Sequence, residues 1–203
     1  MFHPASRDDM APEVIDFLLR RKSVPIDSLR EPGPTEEQID LLIRIASRVP
    51  DHGRLVPWRF ILYRGAARLT AGEMLAELAE AREGPLPPQR IEQERRRFSR
   101  APLVVGVIHV PRKSPTIPQW EMMLSGAAAA MNLSIAATAM GFGVNWVTNW
   151  YADLPEGRAI LGLQPEERVI GFVHIGTFDN EPPERPRPDP RQLVSDYGGP
   201  ERA

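Results

Sequence analysis

The sequence predicts an α+β fold, and three observations carry the prediction. Helical and extended patterns alternate as helices, strand, helices, strand, long helix, strand, helix, strand, which is neither a strict βαβ series nor a barrel. The 203 residues are 42% apolar, enough for one compact domain with a sizeable core. No Gly-x-Gly-x-x-Gly fingerprint or Walker-type phosphate loop is present, and the Gly141-Phe142-Gly143 fragment follows a helix instead of a strand. The expected organisation is a single domain over 1–203, with residues 1–9 a loose arm and 178–203 an extended tail.

Each element has a local cause. Val14, Phe17 and Leu18 recur at helical spacing, which predicts a helix from Ala11 to about Lys22, ended by Pro25. Thr35-Glu36-Glu37-Gln38 has the form of a capping box, and Ile39, Leu42, Ile43 and Ala46 then form an apolar stripe that stops before Pro50. Asp51-His52-Gly53-Arg54 reads as a polar loop, and Trp58–Tyr63 as an aromatic and branched strand. Charged helical stretches are expected over Ala66–Arg82 and Pro88–Phe98, divided by Gly84-Pro85-Leu86-Pro87. Leu103–Val110 is a continuous apolar run and predicts a strand buried on both faces. Trp120–Met140 predicts a long helix of small residues, closed by Gly141. A short strand over Gly143–Trp150, a helix over Leu154–Leu161 and a strand over Val169–Ile175 complete the pattern.

Composition excludes several functions. The chain has no cysteine, so disulfides, thiolate metal sites and catalytic thiols are ruled out, and a reducing, cytoplasmic location is the expectation. A formal net charge of −2 gives no general attraction to nucleic acid or anionic membranes. The opening MFHPASRDDMAPEV lacks the apolar run of a secretory signal. Ser125, Asn132, Ser134 and Thr138 interrupt the longest apolar stretch, which therefore reads as a buried core helix and not as a membrane span. The histidines, at 3, 52, 109 and 174, have no ligand spacing, so no metal site is expected. Ser125 stands outside any Gly-x-Ser-x-Gly elbow.

Four segments, in order, resemble the nitroreductase superfamily. They are Arg21-Lys22-Ser23 after the first helix, Val49-Pro50-Asp51-His52 with Pro57-Trp58, Trp120-Glu121-Met122 running through Met131-Asn132-Leu133 to Gly141-Phe142-Gly143 and Trp146, and Gly171–Thr177. The resemblance is to the compact, YdjA-like branch, in which a Pro-Asp-His turn precedes a Pro-Trp pair. It implies a central, mostly antiparallel sheet flanked by helices, in an intertwined homodimer with FMN at the interface. It also implies NAD(P)H as co-substrate and a small organic acceptor, such as a nitroaromatic or quinone, reduced in a ping-pong cycle. Relatives with other flavin chemistry (dehalogenation, flavin fragmentation) and a non-catalytic FMN-binding or storage module are the alternatives.

The resemblance assigns cofactor contacts residue by residue. Arg21, Lys22 and Ser23 match an Arg-Arg-Ser cluster that grips the flavin, and guanidinium suits phosphate because it offers two parallel donors. Alone, the cluster reads equally as a solvated helix end. His52 matches a flavin-contacting histidine, and Val56 falls where relatives carry a polar contact, which valine can replace only by packing or by its backbone. Trp146, Val147 and Thr148 fall on a Trp-Arg-Ser segment: the arginine is lost, the hydroxyl kept, and Trp146 alone reads equally as a core tryptophan. Gly141 lies in a stretch assigned to NAD(P) contact, with helix packing as its other reading. Arg187, with Arg185, occupies a tail where relatives place a basic residue on the phosphate, against the reading of a solvated tail. No side chain is expected to be catalytic, since flavin N5 carries the hydride.

Overall fold

Four strands, Trp58–Arg64 (β1), Leu103–His109 (β2), Gly143–Val147 (β3) and Arg168–Gly176 (β4), form one sheet in the order β1-β2-β4-β3. Every neighbouring pair is antiparallel. The structure is a computed structural model and describes residues 11–198. The expected arm at 1–9 lies outside them. Strand β2 is buried along its whole length, as a continuous apolar run requires of a central strand covered on both faces.

The helices are Pro12–Arg20 (α1), Glu36–Ala46 (α2), Ala66–Glu83 (α3), Pro88–Arg95 (α4), Gln119–Ala139 (α5) and Pro155–Ile160 (α6). On one face of the sheet, α2 and α5 close a core of Leu42, Val105, Leu133, Ala137, Val173 and Ile175. On the other, Leu75 of α3 and Leu161 beside α6 pack with Tyr63, Phe98, Tyr151 and Phe172. The Phe98 ring stands edge-on to Phe172 at 5.1 Å, and such pairs add to what burial alone contributes. Helix α2 starts at the expected capping box. Gln38 N donates to Thr35 Oγ1 at 3.3 Å and Thr35 N donates to Gln38 Oε1 at 2.9 Å.

Helix α5 is long and apolar enough to cross a membrane by length and composition, yet Ala130, Leu133, Ala136 and Ala137 pack against the sheet. The core-helix expectation is the one its contacts match. Three boundaries differ from the sequence pattern by two residues or more. Helix α1 ends at Arg20 because Arg21 (φ −58, ψ 137) leaves the helix, and the chain then runs extended so that Val24 N donates to Val144 O of β3. Helix α4 stops at Arg95, and Phe98 turns into the core with no exposed surface. Strand β3 ends at Val147, short of Trp150, because Asn149 Oδ1 accepts from Trp150 N and begins a single 3-10 turn over Trp150–Ala152.

Candidate functional site

The early end of α1 exposes a cationic cleft. Arg21 and Lys22 border a cavity of about 300 Å³ with Phe17, Val24, Thr138 and Phe142, and Phe178 and Glu184 of the tail close its other side. Lys22 Nζ donates to Pro182 O at 3.0 Å and lies 3.8 Å from Glu181. The tail is thereby drawn across the cleft. Arg187 donates twice to Glu184 Oε1, at 2.9 and 2.7 Å. Arg21 makes no hydrogen bond through its side chain and no ion pair among the described residues. Burial, then the positive charges of Arg187 and Arg185, push its guanidinium below its ordinary value. A cation held beside two more cations, without a carboxylate of its own, is complementary to a multiply charged anion.

Ser23 is exposed and adjoins the edge of β3, to which Asn145 is tied by donating its Nδ2 to Val24 O at 2.7 Å. Trp146 lies on the α5 side of the sheet and is 36% exposed. Its Nε1 lies 3.4 Å from Ile170 O, and a Cβ added at Gly171 would come 1.8 Å from that nitrogen. Glycine at 171 therefore lets the indole lie flat over β4. Val147 is half-buried and Thr148 exposed. Gly141 sits just past α5 at φ +87, a left-handed value that by itself calls for glycine.

The Pro-Asp-His turn forms a second cluster. His52 Nδ1 lies 2.6 Å from Glu121 Oε1 in the first turn of α5. Asp51 accepts from Leu55 N at 3.1 Å and from Val56 N at 2.8 Å. Arg112 donates to Val56 O through Nε at 3.1 Å and through a terminal nitrogen at 3.0 Å. Val56 has φ +48, and its side chain is 46% exposed. Such a φ is a genuine outlier for a β-branched residue, and doubly so before proline.

The sequence-assigned residues thus fall into two groups. Arg21 and Lys22 line the cleft with Thr138 and Phe142, Ser23 follows them in the chain and Arg187 acts on Arg21, with Trp146 and Val147 on the adjoining edge strand and Thr148 just past its end. His52 and Val56 gather near Glu121. Glu121 and Thr138 stand near opposite ends of α5, and at 1.5 Å per residue about 25 Å separates them. Sequence reasoning passed over Arg112, Phe17 and Glu184, for which no motif gives a signal. Asp51 and Glu121 stood inside recognised segments without a role. Among the described residues no group of His, Asp and Glu is placed to hold a metal.

Residues 20–177 match the nitroreductase family model. The chain belongs to the nitroreductase family. It is 30% identical over 165 residues to a protein of Escherichia coli (strain K12) named "Putative NAD(P)H nitroreductase YdjA", a match covering 81% of this chain and 88% of that one. A nitroreductase-like family protein from Bacillus cereus shares the fold with a TM-score of 0.75 at 22% identity, covering 98% of this chain and all of that one. A variant of NfnB from sphigopyxis sp. strain HMH, described as FMN and NADPH-dependent, aligns with a TM-score of 0.71 at 19% identity over 91% of this chain and 99% of its own. These neighbours share the nitroreductase fold, and the antiparallel sheet flanked by helices is the one the sequence predicts.

Proposed function

We propose that this nitroreductase-family chain is an FMN-dependent oxidoreductase. It works as a homodimer that uses NAD(P)H to reduce a small organic acceptor such as a nitroaromatic or quinone. The observation that carries the reading is the Arg21 guanidinium in the cleft, which has no hydrogen-bond or ion-pair partner among the described residues and feels the charges of Arg187 and Arg185. The residues fit the cofactor. The arginines suit a ribityl phosphate, the cleft has apolar walls at Phe17, Val24 and Phe142, and Trp146 offers an aromatic surface. When bound, FMN would supply the redox chemistry by which NAD(P)H reduces the acceptor in a ping-pong cycle. The chain's own task is placement. Arg21, Lys22 and Arg187 hold the phosphate, Ser23 and Thr148 offer hydroxyl donors, and Trp146 and Val147 wall the ring.

A ligand gripped by Arg21 lies too far from His52 and Val56 of the same chain for both groups to touch it. A second copy, packed against α5 in the opposite sense, brings its own His52 turn over the first copy's cleft. The surface needed for that packing is present. Trp120, Met123, Leu124 and Met131 form an exposed apolar stripe on α5, and Val14, Ile15, Leu18 and Leu19 are exposed on α1, which buries none of its residues. Such an assembly excludes water from the ring and leaves room for one flat substrate at a time. A cytoplasmic location accords with a nicotinamide nucleotide as reductant.

The test is direct. Purified protein titrated with FMN is expected to bind it, and anaerobic NADH or NADPH is expected to bleach the yellow complex. A protein that binds FMN but is bleached by neither nucleotide is a storage module. A protein that does not bind FMN ends the proposal. A panel of nitroaromatic, quinone and halogenated acceptors then separates nitro or quinone reduction from dehalogenation.

A further inference from the structure

Residues 53, 54 and 56 all have positive φ, at +71, +53 and +48, and only the first is glycine. A valine in this conformation immediately before Pro57 opposes both its own branching and the preference of a pre-proline residue for extended backbone. Such strain persists only where surrounding contacts over-determine it. Here they do. Asp51 takes the Val56 N–H, and Arg112 covers the Val56 carbonyl with two donors. The carbonyl of the next residue, Pro57, accepts from Val110 N at 2.8 Å and lies 3.1 Å from His109 Nδ1. Arg112 is itself held, since its carbonyl accepts from Gln119 Nε2 at 2.8 Å. This scaffolding ends in an apolar residue that remains 46% exposed among the described residues.

We propose that Asp51 and Arg112 are positioning residues that clamp the 51–57 turn in its strained form, so that Val56 presents a fixed apolar contact to the flavin ring held by the partner protomer. The inference rests on the shared-site reading above and deepens it. A valine side chain offers a ligand shape and no hydrogen bond, and shape acts on a ligand only if the turn is rigid before the ligand arrives.

The experiment is a double-mutant cycle on the full-length protein, with two readouts: FMN affinity by fluorescence quenching, and the thermal midpoint of the FMN-free protein. Val56→Gly relieves the strain and is expected to raise the midpoint while weakening FMN binding about tenfold. Arg112→Ala is expected to weaken FMN binding about tenfold in the parent and less than about threefold in the Val56→Gly background, where position 56 no longer carries strain to be held. Arg112→Lys does not rescue, since an ammonium cannot reproduce the paired donation in one plane.

An equal effect of Arg112→Ala in both backgrounds, or a midpoint that falls in Val56→Gly, overturns the clamp. Arg21→Ala is the control that separates the two readings. If it weakens FMN binding while Arg112→Ala does not, the clamp alone is wrong. If neither does, the cofactor reading fails first.

Discussion

Arg21 and His174 show how burial sets the chemistry of a single side chain. Arg21 is a cation made less comfortable by burial and by Arg187 and Arg185, so an arriving phosphate relieves repulsion as well as gaining hydrogen bonds. Arg21→Ala is therefore expected to weaken FMN binding about ten- to a hundredfold, the range of a charge-assisted hydrogen bond, and to flatten its salt dependence. Unchanged affinity in a titration across ionic strength would remove Arg21 from the site. His174 is the opposite case. It is 1% exposed, its Nδ1 has no partner among the described residues, and burial first, then Arg100, push its pKa down to about 3. The unfolded chain protonates this imidazole near 6.5, so stability is fully present above that pH and is lost as pH falls toward 3. Denaturant unfolding between pH 6.5 and 5 is expected to show a slope of up to about 1.4 kcal/mol per pH unit. His174→Gln should flatten it, and a slope that survives the substitution assigns the effect to other groups.

Elements here are ended and aligned by single contacts. The Thr35–Gln38 box satisfies two free donors at the start of α2, and Thr35→Ala is expected to cost about 1 kcal/mol of stability without altering FMN affinity. Calorimetry showing no change in midpoint would mean that α2 is held by its packing on α5 alone. In β4, Gly171 has a different duty, because any side chain there collides with Trp146. Gly171→Val is expected to evict the indole from the sheet, raising its solvent exposure as read by tryptophan fluorescence and acrylamide quenching, and to weaken flavin binding. An unshifted emission maximum would show that the ring has another resting place. The early end of α1 matters as much. A helix continuing to Lys22, as periodicity suggests, would carry Arg21–Ser23 away from β3 and dissolve the cleft.

On the scale of the molecule, the two groups of sequence-assigned residues lie near opposite ends of one helix, while apolar stripes on α1 and α5 face outward. The proposed homodimer accounts for both. Leu124 is 59% exposed at the middle of the α5 stripe. Leu124→Glu places a charge where a second copy would bury it, and is expected to give a folded monomer by light scattering and circular dichroism that no longer retains FMN. A monomer that keeps its flavin and turns over would contradict the shared site.

The sequence by itself determined the kinds and order of the elements, the α2 cap, the buried central strand and the absence of thiol chemistry. These depend on short windows in which period and capping residues speak for themselves. It also carried the segments that mark the family. Only the tertiary structure decided that Arg185 and Arg187 of the tail act on Arg21, that Arg112 covers Val56, and that Glu121, which holds His52, stands about 25 Å along α5 from Thr138 in the cleft. Those relations join residues far apart in the chain. They are set by how the sheet orders its strands and how α5 spans it, and no local pattern encodes either.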